Sequence, residues 1–373
     1  MTQPRGQRPK VLHFVTGGFS GATQVAVDLV RAHGVSGRFD ALLVLRRKRT
    51  TLPERVRALQ ADGLRVELVP GWSHAATVWA LASLCRRFQP DILVAHGYSE
   101  HLWGRYAGLL AGVRHLVHVE HNSRERYNAW RLVQARWLAR RTDAIVGCSE
   151  GVRSALLGYG FPQDRVHAIP NGIRLEPYAN APAHTFVQRI PGIVMAARFA
   201  RQKDHATLLQ AVALLRTRGL RPPVLLAGGG KASARRAAER LAQTLGLADQ
   251  VTFLGHCNDV PGLLKGHQIC VLSTHYEGMP LSLIEGMAAG CAVVGSQVVG
   301  VQEVVDSGRT GLLVEHANPQ ALADALATLL NQPQDAARMA AAAHAEVLQR
   351  YGLNTMTERY EALLGSLLEK SLP

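Results

Sequence analysis

Short apolar runs alternate with stretches of helical periodicity along most of the chain. From Ala22, for example, apolar residues recur at three- and four-residue spacing, as on one face of a helix. The strands predicted from the apolar runs are Val11–Thr16, Ala41–Leu45, Val66–Val69, Asp91–Ala95, Val117–Glu120, Ala144–Cys148, Ile193–Ala197, Val224–Ala227, Val251–Leu254, Val271–Thr274 and Cys291–Gly295. Regular alternation of strand and helix predicts an α/β protein with doubly wound parallel sheets.

The stretch from Val271 to Gly300 carries the clearest local signals. Its first strand is followed by a loop over residues 275–279, and Pro280 is expected to be the first residue of a helix, where its fixed φ is favourable. The helix is expected to end at Gly290, before an apolar strand returns.

Two acids belong to this unit. Glu277 lies in the loop before the helix, and Glu285 lies inside the helix. Ligands of open α/β sheets bind beyond the carboxyl ends of the strands, and a helix N-terminus there favours anions. Carboxylates at this place can accept hydrogen bonds from sugar hydroxyls. The sequence leaves open that Glu277 is an exposed loop acid and Glu285 a solvated helix residue.

Two cations follow the strand Ile193–Ala197. Arg198 ends the strand, and Lys203 lies in the loop before a helix that begins near His205. Arginine can bind an oxyanion through two parallel hydrogen bonds and lysine acts as a point charge, so the pair suits a diphosphate. Two solvated basic residues are the other interpretation.

Glycine-rich loops follow two of the predicted strands. The segment Gly17–Gly21 separates a strand from a helix, and glycine lets the backbone approach a ligand closely. It lacks the G-x-G-x-x-G spacing of a dinucleotide site, so we interpret it as a ligand loop, with a simple tight turn as the alternative. Gly228–Lys231 lacks the P-loop spacing and is predicted to be a structural turn.

His121 follows the predicted strand Val117–Glu120. A neutral imidazole at such a strand end can donate a hydrogen bond to a sugar hydroxyl or a phosphate. His118 and Glu120 are near enough in the sequence to compete for this role.

Composition narrows the class of protein. The 373 residues are 47% hydrophobic, enough for a full core, and no apolar run is long enough for a membrane span. The N-terminal segment lacks the apolar core of a signal peptide, so we expect a cytoplasmic location. Five scattered cysteines without a C-x-x-C pair predict reduced, mostly buried thiols and no zinc site.

The net charge of +14 is concentrated in the first half. Residues 1–187 contain 25 Lys or Arg and 13 Asp or Glu, and the remainder contains 17 and 15. A basic half favours an anionic partner, either acidic lipid headgroups or nucleic acid, although a coding bias toward arginine gives the same count. Aromatic residues are only 6%, and we find no basic motif interleaved with aromatics, so nucleic acid is not expected.

The segment YEGMPLSLIEGMAAGCAVVGSQVVGVQEVV, with Glu277 and Glu285 separated by seven residues, resembles the E-x7-E signature of retaining, nucleotide-sugar-dependent glycosyltransferases of family 4. The later GRTGLLV segment, PNGI at 170–173 and ARFARQKDHATLLQAVALL are similar to family segments as well, with Ala197 in place of a usual glycine. The resemblance implies the GT-B fold, in which two Rossmann-like domains face a central cleft.

The resemblance also implies roles for single residues. The residues expected to bind the donor are Gly18, Arg198, Lys203, His256, Glu277, Gly278, Met279, Pro280, Leu281 and Glu285. The residues expected to contact the acceptor are Gly17, Gly18, Gly21 and His121. His121 and Glu277 are the catalytic candidates; Arg198 and Lys203 would bind the diphosphate, and Glu285 the ribose. Relatives need no metal, and no D-x-D motif is present, so neither metal nor cofactor is expected.

The expected domains are an acceptor-binding domain (1–178), a linker (179–190), a nucleotide-sugar-binding domain (191–352) and a C-terminal helix returning to the first domain (353–373). The expected reaction moves a hexose-type sugar, from a UDP-sugar by preference, to an acceptor hydroxyl in lipopolysaccharide, polysaccharide or glycolipid synthesis. The acceptor would be a saccharide or lipid-linked, with the protein peripheral on the inner face of an anionic membrane. A nucleotide-sugar epimerase of related fold, a two-carboxylate glycosidase and a non-catalytic basic binding protein are the alternatives.

Overall fold

The computed structural model describes residues 8–124, 127–179 and 185–370. Contacts divide the chain into two compact units. The first comprises the residues up to Gly172 together with those from Leu353 onward, and the second comprises Ile173–Gly352. Part of the expected linker, residues 180–184, lies outside the described residues.

The first unit is built on a parallel sheet of seven strands. The strands are β1 (Lys10–Thr16), β2 (Asp40–Arg46), β3 (Val66–Val69), β4 (Ile92–His96), β5 (His115–Glu120), β6 (Ala144–Gly147) and β7 (Val166–Ala168). They lie in the order β3-β2-β1-β4-β5-β6-β7. The helices between them are α1 (Gly21–Ser36), α2 (Pro53–Ala61), α3 (His74–Phe88), α4 (Glu100–Ala111), α5 (Ala129–Ala139) and α6 (Glu150–Gly158).

The second unit repeats this plan with six parallel strands. They are β8 (Ile190–Ala196), β9 (Val224–Ala227), β10 (Val251–Gly255), β11 (His267–Leu272), β12 (Ala292–Ser296) and β13 (Leu312–Val314), in the order β10-β9-β8-β11-β12-β13. The helices are α7 (His205–Thr217), α8 (Ala232–Thr244), α9 (Val260–Lys265), α10 (Leu281–Ala288), α11 (Val299–Gln302), α12 (Pro319–Asn331) and α13 (Pro333–Arg350).

The last helix, α14 (Leu353–Glu369), belongs to the first unit. Its Met356, Tyr360 and Leu364 are buried in a cluster with residues of α1 and with the strands β4, β5 and β6. On the other face of the sheet, α3 and α4 pack over β1, β2 and β4. Both faces of the sheet are therefore covered, as a parallel sheet requires.

The predicted doubly wound α/β class is confirmed, and every strand predicted from the apolar runs is present within a few residues of its expected bounds. Two strands were not predicted, Val166–Ala168 and Leu312–Val314. Each has only three residues, too few to give an apolar run that can be distinguished from a loop. The thiols are as predicted: none of the five cysteines forms a disulfide, and only Cys257 is partly exposed.

Candidate functional site

In each sheet the strand order reverses beside the first strand of the unit. This point lies between β1 and β4 in the first sheet and between β8 and β11 in the second. Ligands of open parallel sheets bind beyond the carboxyl ends of the strands at such a point. Gly17 and Gly18 follow β1, Arg198 and Lys203 follow β8, and Glu277 follows β11. The topology therefore places the candidate residues where this fold binds ligands.

The loops after β8 and β11 are joined by backbone and side-chain contacts. Lys203 and Thr274 form an antiparallel β-bridge. The N–H of His275 donates to the carbonyl of Gln202 over 3.0 Å, and the Gln202 side chain donates to the carbonyl of Tyr276 over 2.8 Å. These bonds hold the cation-bearing loop directly against the acid-bearing loop.

Lys203 and Glu277 form an ion pair between the two loops. The Lys203 ammonium donates to Glu277 Oε1, and the Thr274 hydroxyl donates to the same oxygen over 2.9 Å. The two charged side chains are only 13% and 7% exposed. The interpretation of Glu277 as an exposed loop acid is therefore wrong. The pair can offer both a cation and a hydrogen-bond acceptor to one polar ligand.

Arg198 lies beside this pair in sequence but differs in environment. Its side chain is exposed, and within the described residues it has no hydrogen bond or ion pair. The backbone around it is fixed by Gly228, whose φ is +153° and where a Cβ would lie 2.2 Å from the Ala197 carbonyl oxygen. The turn Gly228–Lys231 is thus structural, as predicted, and it holds the start of the cation-bearing loop.

The departures from the family pattern after Lys203 have a local explanation. Asp204 caps α7: its carboxylate accepts the N–H of Thr207 over 3.2 Å and the Thr207 hydroxyl over 2.6 Å. His205 stacks on Phe199 with ring centroids 4.3 Å apart. Both residues support the loop that carries Lys203.

The segment from Gly278 to Leu281 leads into α10. Pro280 caps this helix with ψ of 77°, so the expectation that it is the first helical residue is wrong by one position. Its ψ lies outside the helical range because the chain still turns there, and helical geometry begins at Leu281. Gly278, Met279 and Pro280 are buried. A Cβ on Gly300 would lie 2.4 Å from the Gly278 carbonyl oxygen, so glycine there allows the loop to pack.

Glu285 lies on α10, partly buried near Tyr178. Burial raises the pKa of Glu285 to about 7. Burial, with the Glu285 carboxylate nearby, also raises the pKa of the Tyr178 hydroxyl. Glu285 is therefore not a freely solvated helix residue. Sequence reasoning did not find Tyr178, because it is more than one hundred residues away along the chain.

His256 follows β10 and is exposed. It is preceded by Gly255, whose φ is +70° and whose carbonyl accepts the N–H of Gly228 over 2.6 Å. His256 thus belongs to the same edge of the sheet as Arg198, although no contact between their side chains is seen in the described residues.

In the first unit, three glycines of the loop after β1 have different surroundings. Gly17 is buried, and a Cβ there would lie 2.7 Å from the Arg46 carbonyl oxygen and from the Thr51 hydroxyl. Gly18 and Gly21 are exposed and have room for a side chain. Packing therefore requires glycine at Gly17, whereas Gly18 and Gly21 are available to a ligand.

His121 follows β5 directly. Glu120 holds it there, since one carboxylate oxygen accepts the N–H groups of His121 and Asn122 over 2.8 and 3.1 Å. Burial lowers the pKa of His121 to about 4, so its imidazole is neutral near pH 7. His118 and Glu120, the competing candidates, are fully buried inside the unit, whereas His121 is partly exposed.

Behind His121 lies a row of buried histidines that the sequence did not reveal. His121 Nε2 lies 3.3 Å from His96 Nδ1, and His96 Nε2 lies 3.0 Å from His13 Nδ1. Burial lowers the pKa of both His13 and His96 well below 6.5. The signal available in the sequence was that His96 ends one strand and His121 directly follows another; the structure shows that these strands, β4 and β5, are adjacent. We call His13, His96 and His121 the histidine row.

His101, His118 and Glu120 offer three ligand atoms within 4.8 Å of one another, a spacing that suits a metal ion. However, Arg105 donates to His101 Nδ1 over 2.6 Å, and since arginine has no acceptor the ring must carry its proton on Nε2. That nitrogen contacts the Tyr127 hydroxyl at 2.9 Å. With one ring nitrogen protonated and a buried guanidinium adjacent, the group does not suit a cation. The three side chains instead pack α4 against β5, where the His101 and His118 rings stack.

Two family models match the chain. Residues 19–177 match the model described as Glycosyltransferase Family 4, and residues 181–346 match Glycosyl transferases group 1. The Bacillus subtilis protein EpsF is 33% identical over 218 residues, which are 54% of this chain and 56% of EpsF. A D-inositol 3-phosphate glycosyltransferase of Xylanimonas cellulosilytica is 28% identical over 321 residues, 78% of this chain and 76% of that enzyme. The lipopolysaccharide core biosynthesis glycosyltransferase LpsE of Rhizobium meliloti is 26% identical over 238 residues, 61% and 65% of the two chains.

The chain thus spans between about half and three quarters of the length of these relatives. Among solved structures, Anabaena HepE in complex with UDP and glucose superposes with a TM-score of 0.83 at 22% identity, covering 96% of this chain and 100% of that one. That likeness establishes the GT-B fold. The two family models and the named relatives together show that the chain belongs to the glycosyltransferases of the family 4 type.

Proposed function

We propose that this protein transfers a hexose-type sugar from a nucleotide diphosphate sugar to an acceptor hydroxyl, with retention of the anomeric configuration. The observation that carries the proposal is the buried Lys203–Glu277 pair at the strand-order reversal of the second sheet, with the unpaired Arg198 on the same loop. A diphosphate needs cations, and a sugar needs hydrogen-bond acceptors. The two requirements are met within one pair of joined loops.

In this proposal Arg198 and Lys203 bind the diphosphate and stabilise the charge it gains as the bond to the anomeric carbon breaks. The loop Gly278–Leu281 presents the N-terminus of α10 to the same charge. Glu277 accepts hydrogen bonds from sugar hydroxyls, Glu285 from ribose hydroxyls, and the His256 loop contacts the base.

The acceptor oxygen bonds to the anomeric carbon on the face that the diphosphate leaves, and its proton passes to a diphosphate oxygen. No protein nucleophile and no metal or cofactor take part. Gly17, Gly18, Gly21 and His121 of the first unit are proposed for acceptor recognition, with the neutral His121 imidazole donating a hydrogen bond.

UDP is the proposed nucleotide, because HepE, which shares the fold, was solved with UDP, with UDP-glucose, and with UDP and glucose. The acceptor is proposed to be a lipid-linked or saccharide intermediate of lipopolysaccharide, polysaccharide or glycolipid synthesis, in line with the name of LpsE. No helix among the described residues combines the length and apolar character needed to cross a bilayer. We propose a cytoplasmic protein peripheral to the membrane.

A donor screen tests the proposal. Purified protein is incubated with UDP- and GDP-sugars and candidate acceptors, and nucleotide release is measured, with Glu277→Ala and Arg198→Ala as low-activity controls. We expect release of UDP that depends on the acceptor. NMR of the product should show the same anomeric configuration, axial or equatorial, as the donor sugar has. Turnover without acceptor that yields an isomeric nucleotide sugar would favour the epimerase, and an inverted linkage would refute retention.

A further inference from the structure

The helix α5 is apolar on two opposite sides. Its inner side buries Ala135, Leu138 and Ala139 against the unit. Its outer side exposes Trp130, Val133 and Trp137, which are 71%, 56% and 44% accessible. The spacing of three and four residues places these three on one stripe. A helix that packs on the protein with one side and exposes an apolar stripe on the other can bind a second apolar partner.

The charges around this stripe are all of one sign. Arg136, Arg140 and Arg141 flank it, and α5 carries no acid. Within the described residues no carboxylate oxygen lies within 4.0 Å of their guanidinium groups. Some other arginines of the unit are paired with carboxylates, as Arg31 is with Asp62 and Arg65 with Asp40.

A second basic cluster of the first half does not share this property. Arg46 is buried and lies 3.3 Å from Glu100, and Lys48 lies 2.9 Å from the same carboxylate. One of their two positive charges is therefore compensated by Glu100 inside the protein. On α5 and just after it, arginines without a carboxylate partner lie beside exposed tryptophans.

We infer that the outer stripe of α5 docks on the surface of an anionic lipid bilayer. Tryptophan is favoured at the boundary between headgroups and acyl chains, and an interfacial helix combines such an apolar stripe with flanking arginines. The arginines then meet acidic headgroups. The inference deepens the proposed function, since it names the surface that would deliver a lipid-linked acceptor.

The stacking of Trp137 favours a bilayer over nucleic acid. The Arg141 guanidinium lies 3.9 Å from its ring centroid, and Tyr106 stacks beside it with centroids 6.1 Å apart. A base would need a free ring face on which to stack. With one face covered by the Arg141 guanidinium, the Trp137 indole still contributes its edge to an apolar phase, alongside the Val133 side chain.

Co-sedimentation of the full chain with lipid vesicles tests the inference. We expect binding to vesicles of equal parts phosphatidylcholine and phosphatidylglycerol, no binding to phosphatidylcholine alone, and release at high salt. The double variant Arg140→Gln/Arg141→Gln should bind about 25-fold more weakly at low salt, since each arginine near an acidic surface contributes about fivefold. Trp130→Ser should bind about tenfold more weakly.

Matched controls come from the opposite face of the sheet. Arg57→Gln on α2 and Val35→Ser on α1 remove an exposed charged group and an exposed apolar group, and both variants should bind vesicles like the parent protein. Unchanged thermal unfolding of each variant shows that it folds.

Three results would overturn the inference. The first is equal binding to both vesicle types, and the second is loss of binding in the control variants. The third is absence of vesicle binding, accompanied either by a salt-sensitive shift of an oligonucleotide or by a dimer that Trp130→Ser dissociates. Sedimentation does not require turnover, and UDP release without vesicles does not require α5. Failure of the docking surface and failure of the proposed transfer are therefore distinguishable.

Discussion

His96 Nδ1 lies 3.3 Å from His121 Nε2, and both rings are neutral because burial lowers their pKa values. A neutral imidazole has one donor and one acceptor nitrogen. The protonated nitrogen of His96 therefore determines which nitrogen of His121 carries the proton. In the same way, the protonated nitrogen of His13 determines which nitrogen of His96 carries the proton. The buried Nδ1 of His121, which has no hydrogen-bond partner among the described residues, carries the proton only when His96 donates from its own Nδ1 to His121 Nε2.

His96 is accordingly predicted to position His121. His96→Leu should lower kcat about tenfold, the value of one ordinary hydrogen bond, with little change in the KM for the donor. His96→Asn places an amide near the former Nδ1 and should recover most of kcat. Steady-state kinetics with the preferred donor measures both. Equal losses of kcat in the two variants would show that His96 only fills space.

The buried histidines make the first unit sensitive to acid. His13, His96, His101 and His118 have pKa values well below 6.5, and that of His121 is about 4. Below about pH 6.5 the unfolded chain binds protons that the folded chain does not bind, so the free energy of unfolding falls as pH falls. Each histidine contributes a slope of about 1.4 kcal/mol per pH unit.

Thermal unfolding between pH 7.5 and 5.5 checks this slope. His118→Leu should reduce the slope by about half a proton on average over this range and by nearly one proton at pH 5.5, because the unfolded chain loses one imidazole that takes up a proton. The residues facing His118, namely His101, Arg105 and Glu120, are unchanged in this variant. A slope identical to that of the parent protein would contradict the prediction.

The fold was predictable because strand length and helical spacing are local properties. The contacts that define the site are not local. Lys203 and Glu277 are 74 residues apart in sequence, and the histidine row takes its members from three strand segments. Lys203, Glu277 and His121 were visible as candidates and His96 as a strand-end residue, whereas His13 lies in the middle of β1; only the parallel strand order brings these residues together. The unpaired charge of α5 was likewise hidden in a total that includes the compensated Arg46.

The Lys203–Glu277 pair is predicted to stabilise the second unit as well as to bind ligand. Lys203→Met leaves a buried carboxylate without its cation and should cost about 3 kcal/mol of unfolding free energy. The double variant Lys203→Met/Glu277→Gln removes both charges and should cost less than the single one. Denaturant unfolding of the parent protein, the single variants Lys203→Met and Glu277→Gln, and the double variant measures the coupling. Additive losses would mean that the pair is not energetically coupled.

The two glycines after β1 are predicted to differ. Gly17→Ala places a methyl group 2.7 Å from a backbone oxygen and should destabilise the protein by about 2 kcal/mol. Gly18→Ala meets no atom within 3.4 Å and should leave the unfolding temperature unchanged. If Gly18→Ala nevertheless raises the KM for a substrate, the loop approaches that substrate closely. Full activity of Gly18→Ala would remove Gly18 from the site.

Glu285 is predicted to show the opposite pH dependence to the histidines. Its pKa is about 7 in the folded protein and near 4.5 in the unfolded chain, so between these values the folded state binds the extra proton. Stability is therefore lost as pH rises from about 4.5 to 7. Glu285→Gln removes this penalty and should be more stable than the parent protein by about 2 kcal/mol at pH 8, with no difference near pH 4.5. The same variant should bind nucleotide more weakly, because an ionised carboxylate accepts ribose hydrogen bonds better than an amide does. Thermal unfolding at the two pH values and nucleotide titration measure the two effects, with the exposed Glu54→Gln as the control. A variant less stable than the parent at pH 8 would show that Glu285 is held by partners that favour its charged form.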